Sequence, residues 1–454
     1  MKIIDPKIFK AYDIRGIYPS EIDEDVAYKI GRAYAILRQK ELPQKKMQIV
    51  VGQDMRLSSP SLTKTLIMGL NDQGADVIDI GLCSTPTFYF AIGFYGYDGG
   101  VMVSASHNPK DYNGFKMTRE KAKPISGETG IEEISQLVRT GKFGVKKDKG
   151  TITQKIGVLA DQVQHDLKFV NLKKIKPFKI VADAANAMGA QYLEELFKFV
   201  PGELIKINFD LDGTFPAHEA DPLKAENIKD LEDRVLDEKA QLGIAPDGDG
   251  DRIFFVDNTG KAVRAEIIRG MMAQEFLKDK PGSKIAYDIR PGKITEDLIL
   301  ESGGTPVLTR VGHSLIKEKM LETGAYFAGE SSGHYFLNTQ YGAFEVPMII
   351  ILKLLQRMSL EKKSLSEIIK PYQKYFHSGE INLEVTDKKA VFQALKDKYG
   401  DAKINDLDGL TFTYDDFWFN VRGSNTEPKI RLNLEAVSKE IMEAKRDEVL
   451  KIIK

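Results

Sequence analysis

Gly100-Val101-Met102-Val103-Ser104-Ala105-Ser106-His107-Asn108-Pro109 passes from an apolar run into a polar loop. The small and apolar residues 100–103 read as a short buried strand, and Asn-Pro closes the loop that follows. Working outward, a strand at 47–52 lies between helix-like periodicity at 23–38 and 60–71. Residues 75–81 form the next strand, and a helix from about 87 leads to the strand that feeds Ser106, which makes an α/β unit. Ser106 at the loop tip, beside His107 and Asn108, can carry a covalent intermediate. On spacing alone a hydrogen-bonded loop is the simpler reading. Neighbours on an extended chain point opposite ways, so His107 need not touch Ser106.

The alternation repeats. After a Lys/Gly-rich linker at 141–150, strands are expected at 179–183 and 204–207, with a helix at 188–199 between them. A charged helix at 225–240 leads to a strand at 242–245, and 253–256 is expected to pair across the Asp257-Asn258-Thr259-Gly260 turn. A third round has helices at 265–278, 295–300 and 314–322, strands at 284–289, 306–309 and 326–328, and a buried helix from 346. From about 371 the pattern changes: strands at 381–385, 418–421 and 430–434, a helix at 388–398 and a charged C-terminal helix form a small α+β domain.

Three further polar loops carry chemistry. Pro246-Asp247-Gly248-Asp249-Gly250-Asp251-Arg252 alternates three carboxylates with two glycines. The glycines let the backbone turn, and the carboxylates can converge on one hard cation. Without a cation three like charges this close raise one another's pKa values, which favours metal binding over a solvated acidic turn. Asn258 stands where an EF-hand loop has its glutamate, and an all-oxygen ligand set on a small loop points to magnesium. Gly329-Glu330-Ser331-Ser332-Gly333-His334 offers Glu330 and Ser332 to vicinal sugar hydroxyls, with His334 titrating near neutral pH. A plain turn between strands has the same composition. Arg422-Gly423-Ser424-Asn425-Thr426-Glu427-Pro428 groups Arg422, Ser424, Asn425 and Thr426 as a set of phosphate ligands, or as an ordinary turn with capping residues.

The chain has 454 residues, enough for several domains, and 65 basic residues balance 66 acidic ones. Nothing in that balance argues for nucleic acid or an anionic membrane. The single cysteine, Cys83, excludes a disulfide within the chain and points to the cytoplasm; its apolar surroundings make it a core residue. The N-terminal apolar run is too short for a signal peptide, and the longest apolar stretch, 346–355, is broken by Lys353.

In this order and at these separations the four loops resemble those of the alpha-D-phosphohexomutase superfamily, within it the phosphomannomutase/phosphoglucomutase group. Phe9-Lys10-Ala11-Tyr12-Asp13-Ile14-Arg15-Gly16, Gly312-His313-Ser314 and the run from Asp212 to Pro216 are similar too, so the resemblance spans 9–431. It implies three related α/β domains with mixed sheets and a smaller C-terminal α+β domain around a central cleft, divided at 1–148, 149–259, 260–370 and 371–454. The implied activity is reversible phosphoryl transfer between O1 and O6 of mannose or glucose phosphates. It runs through a phosphoserine at Ser106 and a hexose 1,6-bisphosphate, which is both intermediate and activator. Asp247, Asp249 and Asp251, with an oxygen on Ser106, hold Mg2+. Lys116 and His334 are the acid/base candidates. A lysine partly desolvated near another cation is expected to have a lowered pKa, and Lys116 is equally a phosphate partner. Arg15 and Arg252 stabilise charge on the transferring group, and Tyr12 and His313 position substrate.

Under the same resemblance Glu330 and Ser332 contact O3 and O4 of the sugar. Arg422, Ser424, Asn425 and Thr426 anchor the phosphate that is not reacting, with Arg431 nearby. The chain departs from its relatives at Ser331, a glutamine in the glucosamine-phosphate branch. It departs again at Arg290, often lysine, and at 341–346, which lacks paired aspartates. The alternative enzyme is a phosphoglucosamine mutase. A binding protein without turnover would have lost Ser106 or an aspartate, and a bisphosphate phosphatase would pass the phosphoryl group to water. The expected partners are hexose phosphates, with no nucleic acid and no membrane, on a monomer or small homo-oligomer.

Overall fold

A computed structural model describes residues 4–43, 45–144, 148–290, 292–423 and 429–453. Ser424, Asn425 and Thr426, and part of the expected linker, lie outside the described residues. The chain forms two compact units. One runs through Val263 and takes in 320–324 and 332–366; the other holds 264–319, 325–331 and the chain from 367.

The first unit begins with a six-stranded mixed sheet, in the order Ile14–Ile17, Tyr112–Arg119, Gly99–Val103, Gln48–Gln53, Asp76–Leu82, Ile152–Gln154. The strand Tyr112–Arg119 is antiparallel to both of its neighbours, and the remaining pairings are parallel. Ile49, Val50, Val51, Val101 and Val103 are fully buried, as befits central strands that helices cover on both faces. Helix Glu24–Glu41 starts where the Asp23 carboxylate accepts the Val26 N–H at 3.0 Å, and its Val26, Ile30, Tyr34 and Leu37 form the buried stripe. Helix Thr85–Tyr95 has Ser84 as its cap, Pro86 in its first turn and Gly96 in the left-handed region at its end.

The strand Tyr112–Arg119 was not expected from the sequence. Asn113 and Gly114 are both buried and pair with Gly16 and Arg15. A second mixed sheet runs Ile253–Asp257, Leu242–Pro246, Phe178–Asp183, Gly202–Ile207. Here the expected pairing needs correction. Strand Ile253–Asp257 pairs along its length with Leu242–Pro246, and across the 257–260 turn it makes only a single bridge, Val256 to Ala262. The three-aspartate loop is therefore the turn of a β-hairpin. An antiparallel hairpin, Tyr335–Thr339 with Gly342–Glu345, and the buried helix Pro347–Glu361 complete the unit.

In the second unit Lys284–Asp288 pairs in parallel with Thr305–Thr309 and with Phe327–Gly329. The C-terminal part is an antiparallel sheet built on Phe417–Gly423 and Lys429–Ala436. Helices Lys388–Lys398 and Lys439–Ile453 contribute Leu395, Val449 and Ile453 to its core, where Phe412 and Phe419 stack at 4.7 Å. This is the expected α+β plan. Among the described residues no helix is long and apolar enough to cross a membrane.

Candidate active site

The strand Gly99–Val103 delivers Ser106, its antiparallel neighbour Tyr112–Arg119 delivers Lys116, and Ile14–Ile17 on the far side of that neighbour delivers Arg15. The turn of the 242–257 hairpin delivers the aspartates. Ser106 is 3% exposed and has φ +51°, the left-handed region, so its neighbours do not point opposite ways as on an extended chain. Its Oγ donates to Asp247 Oδ2 at 2.8 Å and also lies 3.2 Å from His107 Nδ1. The chain at Ser106 is not extended, and that backbone twist brings His107 to it. Arg56, fully buried, donates to the carbonyls of Ser106 and Asn108, which fixes the loop from behind. Gly248 allows the hairpin turn to meet this loop: a Cβ there would fall 2.3 Å from the Ser106 carbonyl oxygen.

Asp247, Asp249 and Asp251 are buried, and one oxygen of each lies within 4.8 Å of the others. Burial, then the charges of Asp251 and Asp249, push Asp247 up to about 7. Burial alone would raise Asp251 as well, but the Lys116 ammonium, His334 and Arg252 hold it well below the usual carboxylate range. Asp249 Oδ1 is buried with no hydrogen-bond partner among the described residues. Three converging hard oxygens with mutual repulsion and an unpaired lone-pair site fit a divalent cation.

Lys116 Nζ donates to Asp249 Oδ2 at 2.5 Å and to Asp251 Oδ2 at 2.6 Å. Burial by itself would lower its pKa; the two carboxylates raise it well above that of a free lysine. The expected lowering does not occur, because the nearest groups are anions. His334 Nε2 lies 3.1 Å from Asp251 Oδ1 and 3.4 Å from Arg252 Nε, and its Nδ1 lies 3.1 Å from Ser332 Oγ. Arg15 donates from Nε to Asp13 at 2.8 Å and from Nη1 to Asn108 Oδ1 at 2.6 Å. Tyr12 is half-buried two residues before the strand that carries Arg15. The first unit thus gathers Arg15, Ser106, Lys116, Asp247, Asp249, Asp251, Arg252, Ser332 and His334.

The second unit holds the remaining candidates. Glu330 is 1% exposed and accepts the Gly312 N–H at 2.9 Å; His313 opens the helix His313–Thr323. Ser331 turns inward, its Oγ donating to Asp288 Oδ1 at 3.0 Å. Arg290 is held by Asp288 at 2.5 Å and lies 3.7 Å from Glu330 Oε1. Arg422 Nη2 donates to Glu380 Oε2 at 2.5 Å, while its Nε is buried with no hydrogen-bond partner among the described residues. Glu380 also lies 3.5 Å from Arg431 Nη1. Sequence reasoning passed over Glu380, because nothing in Ser378-Gly379-Glu380 announces a partner 42 residues away.

The sequence matches a family described in four parts: Phosphoglucomutase/phosphomannomutase, alpha/beta/alpha domain I over 6–144, domain II over 159–260, domain III over 265–375, and the C-terminal domain over 380–452. A phosphomannomutase of Vibrio cholerae serotype O1 is 39% identical, over 98% of both chains. A phosphomannomutase of Methanocaldococcus jannaschii is 40% identical, over 99% of this chain and 98% of its own. The crystal structure of a phosphoglucomutase/phosphomannomutase family protein from Burkholderia thailandensis superposes with a TM-score of 0.89 at 32% identity, covering 99% of this chain and 98% of that one. With the four parts matched in order along a single chain, and full-length relatives at this identity, the protein belongs to the phosphoglucomutase/phosphomannomutase family.

Proposed function

We propose that this chain interconverts the 1-phosphates and 6-phosphates of mannose and glucose through a phosphoserine at Ser106 and a hexose 1,6-bisphosphate. The observation that carries the reading is Ser106 Oγ at 2.8 Å from Asp247 of the buried three-carboxylate loop. That contact puts a hydroxyl beside three buried carboxylates that could hold a cation. Asp247, Asp249, Asp251 and an oxygen on Ser106 are the ligands, and Mg2+ bound there would neutralise phosphate charge and make phosphorus more electrophilic.

In the first half-reaction the bond from phosphorus to Ser106 Oγ breaks and a bond to the substrate hydroxyl oxygen forms. The hydroxyl proton passes to a base, and Ser106 Oγ takes up a proton. In the second half-reaction the other phosphoryl group of the bisphosphate returns to Ser106. His334 suits the proton transfers, since Asp251 and Ser332 fix its two ring nitrogens. Lys116, kept as an ammonium, suits charge stabilisation beside Arg15 and Arg252. Glu330 and Ser332 are assigned to sugar hydroxyls, Tyr12 and His313 to positioning, and Arg422 with Ser424, Asn425 and Thr426 to the other phosphate. The expected domain boundaries and a cytoplasmic location go with this reading.

Ser106→Ala is expected to lose nearly all turnover while still binding sugar phosphate. The purified wild-type protein should carry one phosphoryl group on Ser106, read by intact mass. Rates on mannose 1-phosphate, glucose 1-phosphate and glucosamine 1-phosphate should rank the amino sugar last. Near wild-type turnover of Ser106→Ala with added bisphosphate would remove Ser106 from the mechanism.

A further inference from the structure

The antiparallel sheet of the second unit has an apolar face and a polar face. Phe419, Val421, Ile430, Leu432 and Leu434 alternate into the core to which the helices Lys388–Lys398 and Lys439–Ile453 contribute. The residues between them turn the other way, and the register sets Arg422 directly opposite Arg431 on the neighbouring strand. Like charges directly opposite in a sheet destabilise it, so this pair calls for an anion.

Glu380 supplies one. It stands one residue before the strand Ile381–Glu384, whose Ile381 pairs with Leu432. Its Oε2 accepts from Arg422 Nη2 at 2.5 Å and from Asn433 Nδ2 at 3.4 Å, and its Oε1 accepts from Arg431 Nη1 at 3.5 Å. The carboxylate thus bridges the two guanidinium groups, one oxygen to each. Burial by itself would raise its pKa; Arg422, then Arg290 and Arg431, hold it below the usual carboxylate range, so it stays an anion.

One carboxylate does not satisfy two arginines. Among the described residues Glu380 is the only acid paired with either of them. The Nε of Arg422 and the Nε of Arg431 are both buried with no hydrogen-bond partner among the described residues. Leaving buried charged donors unmet is costly. A phosphate monoester has three acceptor oxygens and enough charge to meet both donors and the surplus positive charge at once.

We propose that Arg422 and Arg431 form a two-armed clamp on the non-reacting phosphate, and that Glu380 is its counter-charge, weakening the hold so that a bisphosphate can let go and turn. The inference rests on the phosphomutase reading given above. An intermediate that must leave the anchor and rebind by its other end gains nothing from binding that stabilises ground and transition states alike.

The test is Glu380→Gln, which keeps the shape and an acceptor oxygen but removes the charge. Glucose 6-phosphate is titrated calorimetrically in the Ser106→Ala background, where turnover does not consume it. Affinity should rise at least about fivefold over Ser106→Ala alone, and the gain should shrink as added salt screens the charges. Arg431→Gln in the same background should lower affinity by about tenfold or more. Equal or weaker binding in Glu380→Gln overturns the counter-charge and makes Glu380 a brace for Arg422. Unchanged affinity in Arg431→Gln removes the second arm. Ser106→Ala protein that binds neither glucose 6-phosphate nor mannose 6-phosphate would overturn the phosphomutase reading itself, so the failures are told apart.

Discussion

Trp418, the single tryptophan of the chain, donates its indole N–H to Glu435 Oε1 at 3.0 Å. Glu435 is 1% exposed, takes a second hydrogen bond from the Lys293 N–H, and has its Oε2 unpaired among the described residues. Burial, with Glu266 adding to it against the Trp418 hydrogen bond, pushes Glu435 up to about 7. An unfolded glutamate titrates near 4.3, so between about 4.3 and 7 the folded protein binds the extra proton. The resulting stabilisation is present at the acid end of that window and is lost as pH rises through 7. At 1.36 kcal/mol per pKa unit the loss is on the order of 4 kcal/mol. Glu435→Gln keeps both accepted hydrogen bonds and removes the titration. Denaturation followed by Trp418 emission at pH 5 and pH 8 should show the wild type losing more stability across that interval than the variant. Equal losses in both proteins would show that Glu435 titrates normally.

The hairpin of strands Leu242–Pro246 and Ile253–Asp257 is the element on which the site depends. In Gly248→Ala the new methyl group would meet backbone, the Ser106 carbonyl, at 2.3 Å, and a carbonyl cannot rotate away as a side chain does. The two loops must then part. Activity and Mg2+ affinity are expected to fall by a decade or more, with stability lower by about 1–3 kcal/mol and the circular dichroism unchanged. Wild-type Mg2+ affinity in this variant would show that the close approach is dispensable. The same hairpin marks where sequence reasoning succeeded and where it stopped. The Asp-Gly alternation picked out the loop whose three carboxylates the structure brings together, because charge crowding is local. The apolar runs at 47–52 and 242–245 became Gln48–Gln53 and Leu242–Pro246. The strand Tyr112–Arg119 was illegible because Lys116 is buried only by virtue of Asp249 and Asp251, more than 130 residues away. The Ser106–His107 contact depends on a positive φ at a serine, and the Arg422–Glu380 pair on register within an antiparallel sheet. Both are tertiary facts with no local signal.

At the scale of the whole molecule the proposed cycle constrains what any anchor substitution can do. A bisphosphate must present each of its ends in turn, so a phosphate contact that serves one half-reaction serves the other. Arg422 is held through Nη2 by Glu380, and its Nε is the part of the guanidinium without a hydrogen-bond partner among the described residues. A planar fork can satisfy a carboxylate and a phosphate at once, whereas a lysine ammonium offers one point of charge. In Arg422→Lys that charge is drawn toward Glu380, and phosphate binding should suffer. A charged hydrogen bond is worth about 1.5–3 kcal/mol, which corresponds to a loss of roughly one to two decades in kcat/KM. No mutation changes the equilibrium between the 1-phosphate and the 6-phosphate. Steady-state rates measured in both directions must therefore fall by the same factor, and unequal factors would expose an error in the measurement. Unchanged efficiency in both directions, on mannose and glucose phosphates alike, would remove Arg422 from the phosphate site and leave its pairing with Glu380 as a structural contact.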